Sequence, residues 1–313
     1  MSFTNTFDTT NTGSAVSNRE DLTDVLTILA PEETPILSSA DKKKASSTFV
    51  EWTVDSLAAP STSGISEGAD VTAFTDQFAG RAKLGNRVQK FRRDYMVSDM
   101  QEAVDSVGPA KIAQAEAKAI RELKRDIEAT LASANTQATE NGAGTANALG
   151  GLGDWIQNAA GSGNVPAAFQ TPAASVVDAG ATLAESEFNG LITSIFGVTG
   201  STNNLMLIAD TTLRSDISDF ARTTASATDN VRSVNYDGNS GEIKLSVDLY
   251  QSDHGVVSIV NGNPDCMPTQ GGTAGMMGYL VNPEYYGVHE LIPMGSTRLP
   301  NLGGGERGFV DCA

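Results

Sequence analysis

The chain is short of cysteine, histidine, aromatic rings and basic charge, and each shortage closes a class of function. Its only thiols are Cys266 and Cys312 in 313 residues, too few for a disulfide framework to hold a chain of this length. Neither sits in a Cys-x-x-Cys pair, so zinc and redox readings have no support. The only histidines are His254 and His289, and no His-Glu-x-x-His or comparable spacing joins them. Aromatics make up 6% of the residues, a composition somewhat poor in large rings. Basic residues number 21 against 38 acidic ones, for a net charge of −17; a free nucleic-acid binder needs the basic face that this balance denies it. No stretch reaches the ~18 continuous apolar residues of a membrane span. Met1-Ser2-Phe3-Thr4-Asn5 lacks the basic start and apolar run of a secretory signal, so a soluble chain made in a cytoplasm is expected.

What remains is ordinary globular material, 40% hydrophobic, long enough for one large domain or two. Residues 1–20 are Thr, Asn and Ser with scattered Phe, and read as an arm that orders only on a partner. Leu22, Val25, Leu26 and Leu29 have helical spacing, and Pro31 ends that segment. Residues 49–54 (FVEWTV) predict a strand. Residues 58–68 are turn-rich, and 71–97 resume a strand-like pattern with a turn candidate at Gly85-Asn86, so 60–97 reads as one long projecting β-hairpin. Gly108-Pro109 then opens the clearest element. Ile112, Ala115, Ala119, Leu123, Ile127 and Leu131 recur every three or four residues through 110–135. Glu122 with Arg125, and Lys124 with Glu128, fall on its solvated side. A glycine-rich boundary at 141–153 precedes a mixed segment. There, helices are expected at 180–197 and 213–221, the latter capped by Thr211 or Thr212, with strands at 205–209, 243–249 and 256–260. Residues 271–278 are a glycine-rich return, and 279–292 rejoin the first half. The class is α+β.

Motifs with catalytic potential are sparse. Gly64-Ile65-Ser66-Glu67-Gly68 matches the Gly-x-Ser-x-Gly elbow, which would make Ser66 a nucleophile with His254 or His289 as base. That chemistry requires a strand directly before the serine and a helix directly after, and the flanks here are Ala-Pro-Ser-Thr-Ser before it and a stretch of strand character after it. Asp237-Gly238-Asn239-Ser240-Gly241-Glu242 has some character of a calcium loop, but strands flank it and a hairpin turn accounts for it better. No catalytic, cofactor or metal site is therefore expected. One charge feature stands out: Arg81, Lys83, Arg87, Lys90, Arg92 and Arg93 form a run with no acid until Asp94. It reads either as a solvated face neutralised from elsewhere in the fold or as an arm laid across an acidic neighbouring subunit, where repeated pairs would set register more than affinity.

In order, these elements resemble the tailed-bacteriophage major capsid proteins of the Hong Kong 97 type. The residues that carry the likeness are Glu32-Glu33-Thr34-Pro35-Ile36, Lys44-Ala45, Phe49-Val50-Glu51-Trp52-Thr53-Val54-Asp55-Ser56-Leu57, and Glu67-Gly68-Ala69-Asp70, with the helix from Gly108 after them. The resemblance implies an N-terminal arm (1–40), a peripheral domain begun at 41–59, an extended loop (60–97), the spine helix within 98–149, an axial domain (150–274) and a peripheral return (275–313). It implies hexamers and pentamers of identical copies enclosing double-stranded DNA in a virion assembled in the host cytoplasm. Its implied partners are a scaffold, a portal and a decoration protein. The acidity would suit solubility, or an inner wall that does not adhere to packed DNA. An encapsulin-like compartment is the other particle the pattern would fit. Such chains often finish with a further full strand after a segment like Leu299-Pro300-Asn301-Leu302-Gly303; here the sequence stops at Ala313, and the expectation is either a chain short at that point or a neighbour that completes the sheet. No Lys–Asn crosslinking pair is apparent, and covalent linkage between subunits is not expected.

Overall fold

The computed structural model of the chain describes residues 32–78, 80–104, 111–142, 144–157, 165–166, 169–178, 182–222, 248–268 and 278–313. The expected helix at 21–30, the Gly108-Pro109 start, the 237–242 loop and most of the 271–278 return lie outside them.

The apolar stripe legible in the sequence forms a helix over Lys111–Ala132, roughly 33 Å long at ~1.5 Å per residue. Five shorter helices share the described residues with it: Pro35–Ser39 (α1), Asp99–Ala103 (α2), Leu152–Gln157 (α4), Glu185–Thr199 (α5) and Thr211–Arg222 (α6), the long one being α3. One face of α3 buries Ala119, Leu123, Ile127 and Ala132. It packs on a three-stranded antiparallel sheet whose central strand is Glu306–Cys312 (β11), flanked by Phe91–Val97 (β4) and Gly295–Leu299 (β10). Alternation along β11 turns Gly308, Val310 and Cys312 inward, and Val310 and Cys312 join Tyr95, Leu123 and Ile127 in one core. The further strand that was expected to be missing, or to come from a neighbour, is thus supplied by this chain in the middle of its own sheet.

A second sheet has the order β6-β7-β5-β8, from Leu249–Ser252, Gly255–Asn261, Leu205–Ala209 and Gly278–Val281. All five residues of β5 are buried, because both of its faces are covered. Leu205, Leu207 and Ala209 face Phe188 and Ile192 of α5 and Leu213, Ile217 and Phe220 of α6. Met206 and Ile208, pointing the opposite way as successive strand residues must, meet Ile36, Ala132 and Tyr279. Gly278–Val281, paired antiparallel with β5, lies at the edge of this sheet. Of the strand expected at 243–249 only its end is described, and β6 begins at Leu249. Helix α5 starts later than the expected 180, where the Glu187 carboxylate accepts from the Ala184 N–H at 2.9 Å. It ends at Gly200, whose φ of 69° gives the left-handed cap. Helix α6 already includes Thr211 and Thr212, so neither is the cap; Asp210 precedes them.

The ribbon differs from its expected register. Phe49–Val54 (β2) pairs antiparallel with Ala82–Arg87 (β3), Phe49 opposite Arg87 and Val54 opposite Ala82. Residues 55–81 form the loop between them, and 91–97 leave the ribbon to become β4. Gly85-Asn86 is not a turn. Gly85 lies within β3 opposite Glu51, where a β-carbon would strike the Phe49 ring; the residue supplies room and not a bend. Asp41–Lys44 (β1) runs parallel to Gly287–Glu290 (β9) in a two-stranded sheet that the sequence did not suggest. No described helix is long and apolar enough to cross a membrane.

Candidate assembly surface

Loop 55–81 carries large apolar side chains that its own fold does not cover. Leu57 is 99% exposed, Ile65 88%, Phe74 92% and Val71 72%. Singly exposed apolar residues are common, but a concentration of them on one loop makes a candidate contact surface. Ser66 lies here too, exposed and in irregular chain with no strand before it and no helix after it. The elbow geometry is absent. His254 sits in the two-residue turn of the β6–β7 hairpin and stacks on Phe196 at 6.0 Å; His289 is in β9 opposite Lys43. No hydrogen bond links Ser66 to either. Among the described residues no group of His, Cys, Asp and Glu could hold a metal ion.

The six basic residues of 81–93 fall on two bodies. Arg81, Lys83 and Arg87 belong to the ribbon, and Lys90, Arg92 and Arg93 to the sheet under α3. Arg81 pairs with Asp55 at 2.8 Å, across the end of the ribbon where the loop begins, and covers the Phe78 ring at 4.2 Å. Lys90 reaches Asp311 at 3.0 Å, and Arg93 makes a two-pronged contact with Asp126 of α3 at 2.5 and 2.7 Å. Arg87 lies over Phe49 at 4.9 Å and Arg92 over Phe309 at 5.9 Å, while Lys83 is exposed. Neutralisation from within the fold thus accounts for three cations. Lys83, Arg87 and Arg92 show no carboxylate partner among the described residues. The Arg93–Asp126 pair is substantially exposed, so Arg93→Ala should cost less than about 1 kcal/mol, a loss that shrinks with added salt. Denaturant titrations at low and high ionic strength check this.

The residue that pattern reading misplaced is Glu128. It is 1% exposed, on the side of α3 that meets the incoming chain. Its carboxylate accepts from the Ile36 N–H at 2.8 Å and the Leu37 N–H at 2.9 Å. Those are donors that the first turn of α1 cannot satisfy internally. Next to this clamp, the Ser39 and Tyr286 hydroxyls are hydrogen-bonded, and the Asn263 side chain donates to the Glu33 carbonyl at 2.9 Å. The segment entering the body at 33–39 is therefore tied to α3, to the residues after β7 and to the residues before β9.

Both thiols are free and buried. Burial pushes Cys312 up to about 11, reinforced by Glu290 and Asp311, and raises Cys266, with Glu128 adding to the effect. Thiolate is the reactive form, so both should resist maleimide in the folded subunit at neutral pH and label fully on unfolding. Mass spectrometry of native and denatured samples reads the difference.

The family model described as SU10 major capsid protein matches residues 3–312. Solved structures share the architecture. The Cyanophage A-1(L) capsid asymmetric unit is 14% identical with a TM-score of 0.60, over 97% of this chain and 93% of that one. The capsid structure of the Cyanophage P-SCSP1u is 13% identical with a TM-score of 0.56, over 95% and 88%. A chain of Mycobacterium phage Bobi is 12% identical with a TM-score of 0.56, over 97% and 90%. At such identities the likeness is one of fold. No curated protein sequence matches.

Proposed function

The chain belongs to the SU10 major capsid protein family, a shell protein of phage heads with the Hong Kong 97-type α+β fold, and from that premise we propose that its copies close into hexamers and pentamers around double-stranded DNA. The observation that carries this reading is loop 55–81, which holds Leu57, Ile65, Val71 and Phe74 in water on an isolated chain. A second copy can bury them; its own fold does not. In this scheme β2, β3 and the loop between them are the extended loop. Helix α3 with its sheet is the peripheral domain, and the β6-β7-β5-β8 sheet with α5 and α6 is the axial domain.

Lys83, Arg87 and Arg92, which have no carboxylate partner among the described residues, meet acidic residues of the neighbouring copy and set register there. The net charge of −17 ensures that such residues are plentiful, and keeps the wall from adhering to the packed genome. The role is structural, not catalytic: Ser66 lacks the local geometry of a nucleophile, and the family describes a capsid and not a compartment shell of the encapsulin kind. Scaffold, portal and decoration proteins complete the proposed partners, with assembly in the host cytoplasm.

Expression of the full chain, alone and with its scaffold, followed by negative-stain microscopy tests the proposal. Closed shells with hexameric and pentameric clusters are expected. A protein that stays monomeric at high concentration under both conditions overturns it.

A further inference from the structure

The ribbon is fastened at its root by an unusual joint. Asn86, on β3, uses its side-chain amide in the manner of a backbone. Its Nδ2 donates to the Gly150 carbonyl at 2.9 Å, and its Oδ1 accepts from the Gly150 N–H at 3.0 Å. Gln89, just past the strand, accepts from the Leu149 N–H at 3.0 Å. On the other strand Trp52 meets Trp155 of α4 with ring centroids 5.5 Å apart. Leu84 and Val54 pack in the same cluster as Trp155 and Phe169. Residues 149–155 therefore grip both strands of the ribbon.

The same segment is seated on the end of α3. The Gly151 N–H donates to the Asn135 carbonyl and the Gly153 N–H to the Ser133 carbonyl, each at 3.0 Å. A β-carbon at Gly151 would collide with the Ser133 carbonyl, so only glycine lets the segment lie this close. Tyr279 of β8 donates to the Ala132 carbonyl at 2.6 Å, which brings the second sheet to the same helix end. Ribbon, α3 and the second sheet converge within a few residues.

We infer that residues 149–155 are a bracket fixing the angle between ribbon and α3, and that Asn86 and Gln89 are positioning residues for assembly. The inference rests on the shell-building reading above. Its leverage comes from length. Half of loop 55–81, about 13 residues, reaches roughly 40 Å beyond the end of the ribbon if extended, at ~3.3 Å per residue. A turn of about 10° at the root then moves the tip by up to about 7 Å, more than the ~4 Å within which apolar atoms count as touching. The angle at the joint decides where the loop lands on a neighbour, and so which curvature the copies agree on.

The joint can be loosened without unfolding the subunit, because Asn86 and Gln89 lie outside the main cores. Spin labels at Thr53→Cys on β2 and Lys118→Cys on the exposed side of α3 report the angle in the unassembled chain. The parent should give one narrow distance peak; Asn86→Ala/Gln89→Ala should lose it to a broad distribution while keeping its circular dichroism and thermal transition. Its particles, under conditions where the parent forms uniform shells, should be mixed in diameter or open. An unchanged narrow distance, or a broadened distance with shells as uniform as the parent's, overturns the inference. Asn86→Asp, which keeps the acceptor and loses the donor, gives a second reading if the double variant misfolds: a distance as narrow as the parent's overturns the inference there too. A parent chain that builds no shell at all defeats the functional proposal instead, and the distance measurement still decides the joint.

Discussion

Glu128→Ala should lower the stability of the unassembled subunit by about 2–4 kcal/mol, because it strands two donors. The Ile36 and Leu37 N–H groups both point at this carboxylate, and an unsatisfied buried polar group costs about 1–3 kcal/mol. Leu37 is only half buried, so water can recover part of its share. Glu128→Gln should lose less, since its amide oxygen keeps one acceptor while its NH2 confronts the other N–H. Chemical denaturation of both variants, monitored at the Trp52–Trp155 pair, gives the ranking. An Ala variant within about 0.5 kcal/mol of the parent would show that the clamp contributes nothing.

The pH dependence of that clamp has a definite sign. Burial raises the Glu128 carboxyl above the usual glutamate range, against the pull of its two N–H donors. The folded subunit therefore keeps a proton here at pH values where the unfolded chain has lost it. Its contribution is full below the ordinary glutamate pKa and declines as pH climbs through the raised one. Glu128→Gln cannot titrate, so the stability gap between parent and variant should narrow as pH rises across that window. A gap that widens instead would mean that the N–H donors outweigh desolvation.

Glu128 also shows where pattern reading stops. The stripe of Ala119, Leu123 and Ile127 is visible in the sequence because apolar side chains at helical spacing must share a face. A glutamate four residues from Lys124 looks equally like a solvated ion pair. What buries it is a segment some ninety positions earlier, arriving with its donors unpaired, and no local periodicity encodes that. The one hint in the sequence was a small apolar residue four positions on, Ala132, which the fold buries fully on the same flank of α3. Strand β5 was legible for the opposite reason: five consecutive apolar residues leave no solvent face to choose. Strand β11 was not, because Glu306, Arg307, Gly308 and Asp311 dilute its alternation, and one of its two partners, β4, lies roughly two hundred positions upstream.

The basic run repeats the lesson at the candidate surface. Proximity in the chain suggested a single positive arm, yet strand alternation sends Arg93 to Asp126 on α3 and Arg92 to Phe309 on the opposite face. The register of β2 with β3 separates Arg81, Lys83 and Arg87 from the rest altogether. Composition could name the charges but could not say which of them the fold would neutralise. The exposed apolar loop, by contrast, follows from the turn-rich sequence of 58–68, which offers nothing to pack against.

Ile65→Ser/Phe74→Ser should leave the subunit's own stability within about 0.5 kcal/mol of the parent, yet raise the concentration needed for shell formation by at least ~100-fold. At 88% and 92% exposure, neither side chain gives up solvent when the chain folds, so folding is blind to them. Burial against a neighbour is worth about 1.5–3 kcal/mol for each such side chain. Losing both removes roughly 3 kcal/mol or more per contact, and every 1.4 kcal/mol is about tenfold in an equilibrium constant. The variant is the mirror of Glu128→Ala, which weakens the subunit before any contact between copies forms. Light scattering against concentration, paired with denaturant unfolding of the unassembled chain, separates the two. Assembly at the parent's threshold would place these residues outside every interface, and the loop would then need another reason to hold them in water. A lowered unfolding midpoint would mean that the loop folds back onto its own subunit in solution, and the ribbon would belong to the monomer's stability instead of the shell's.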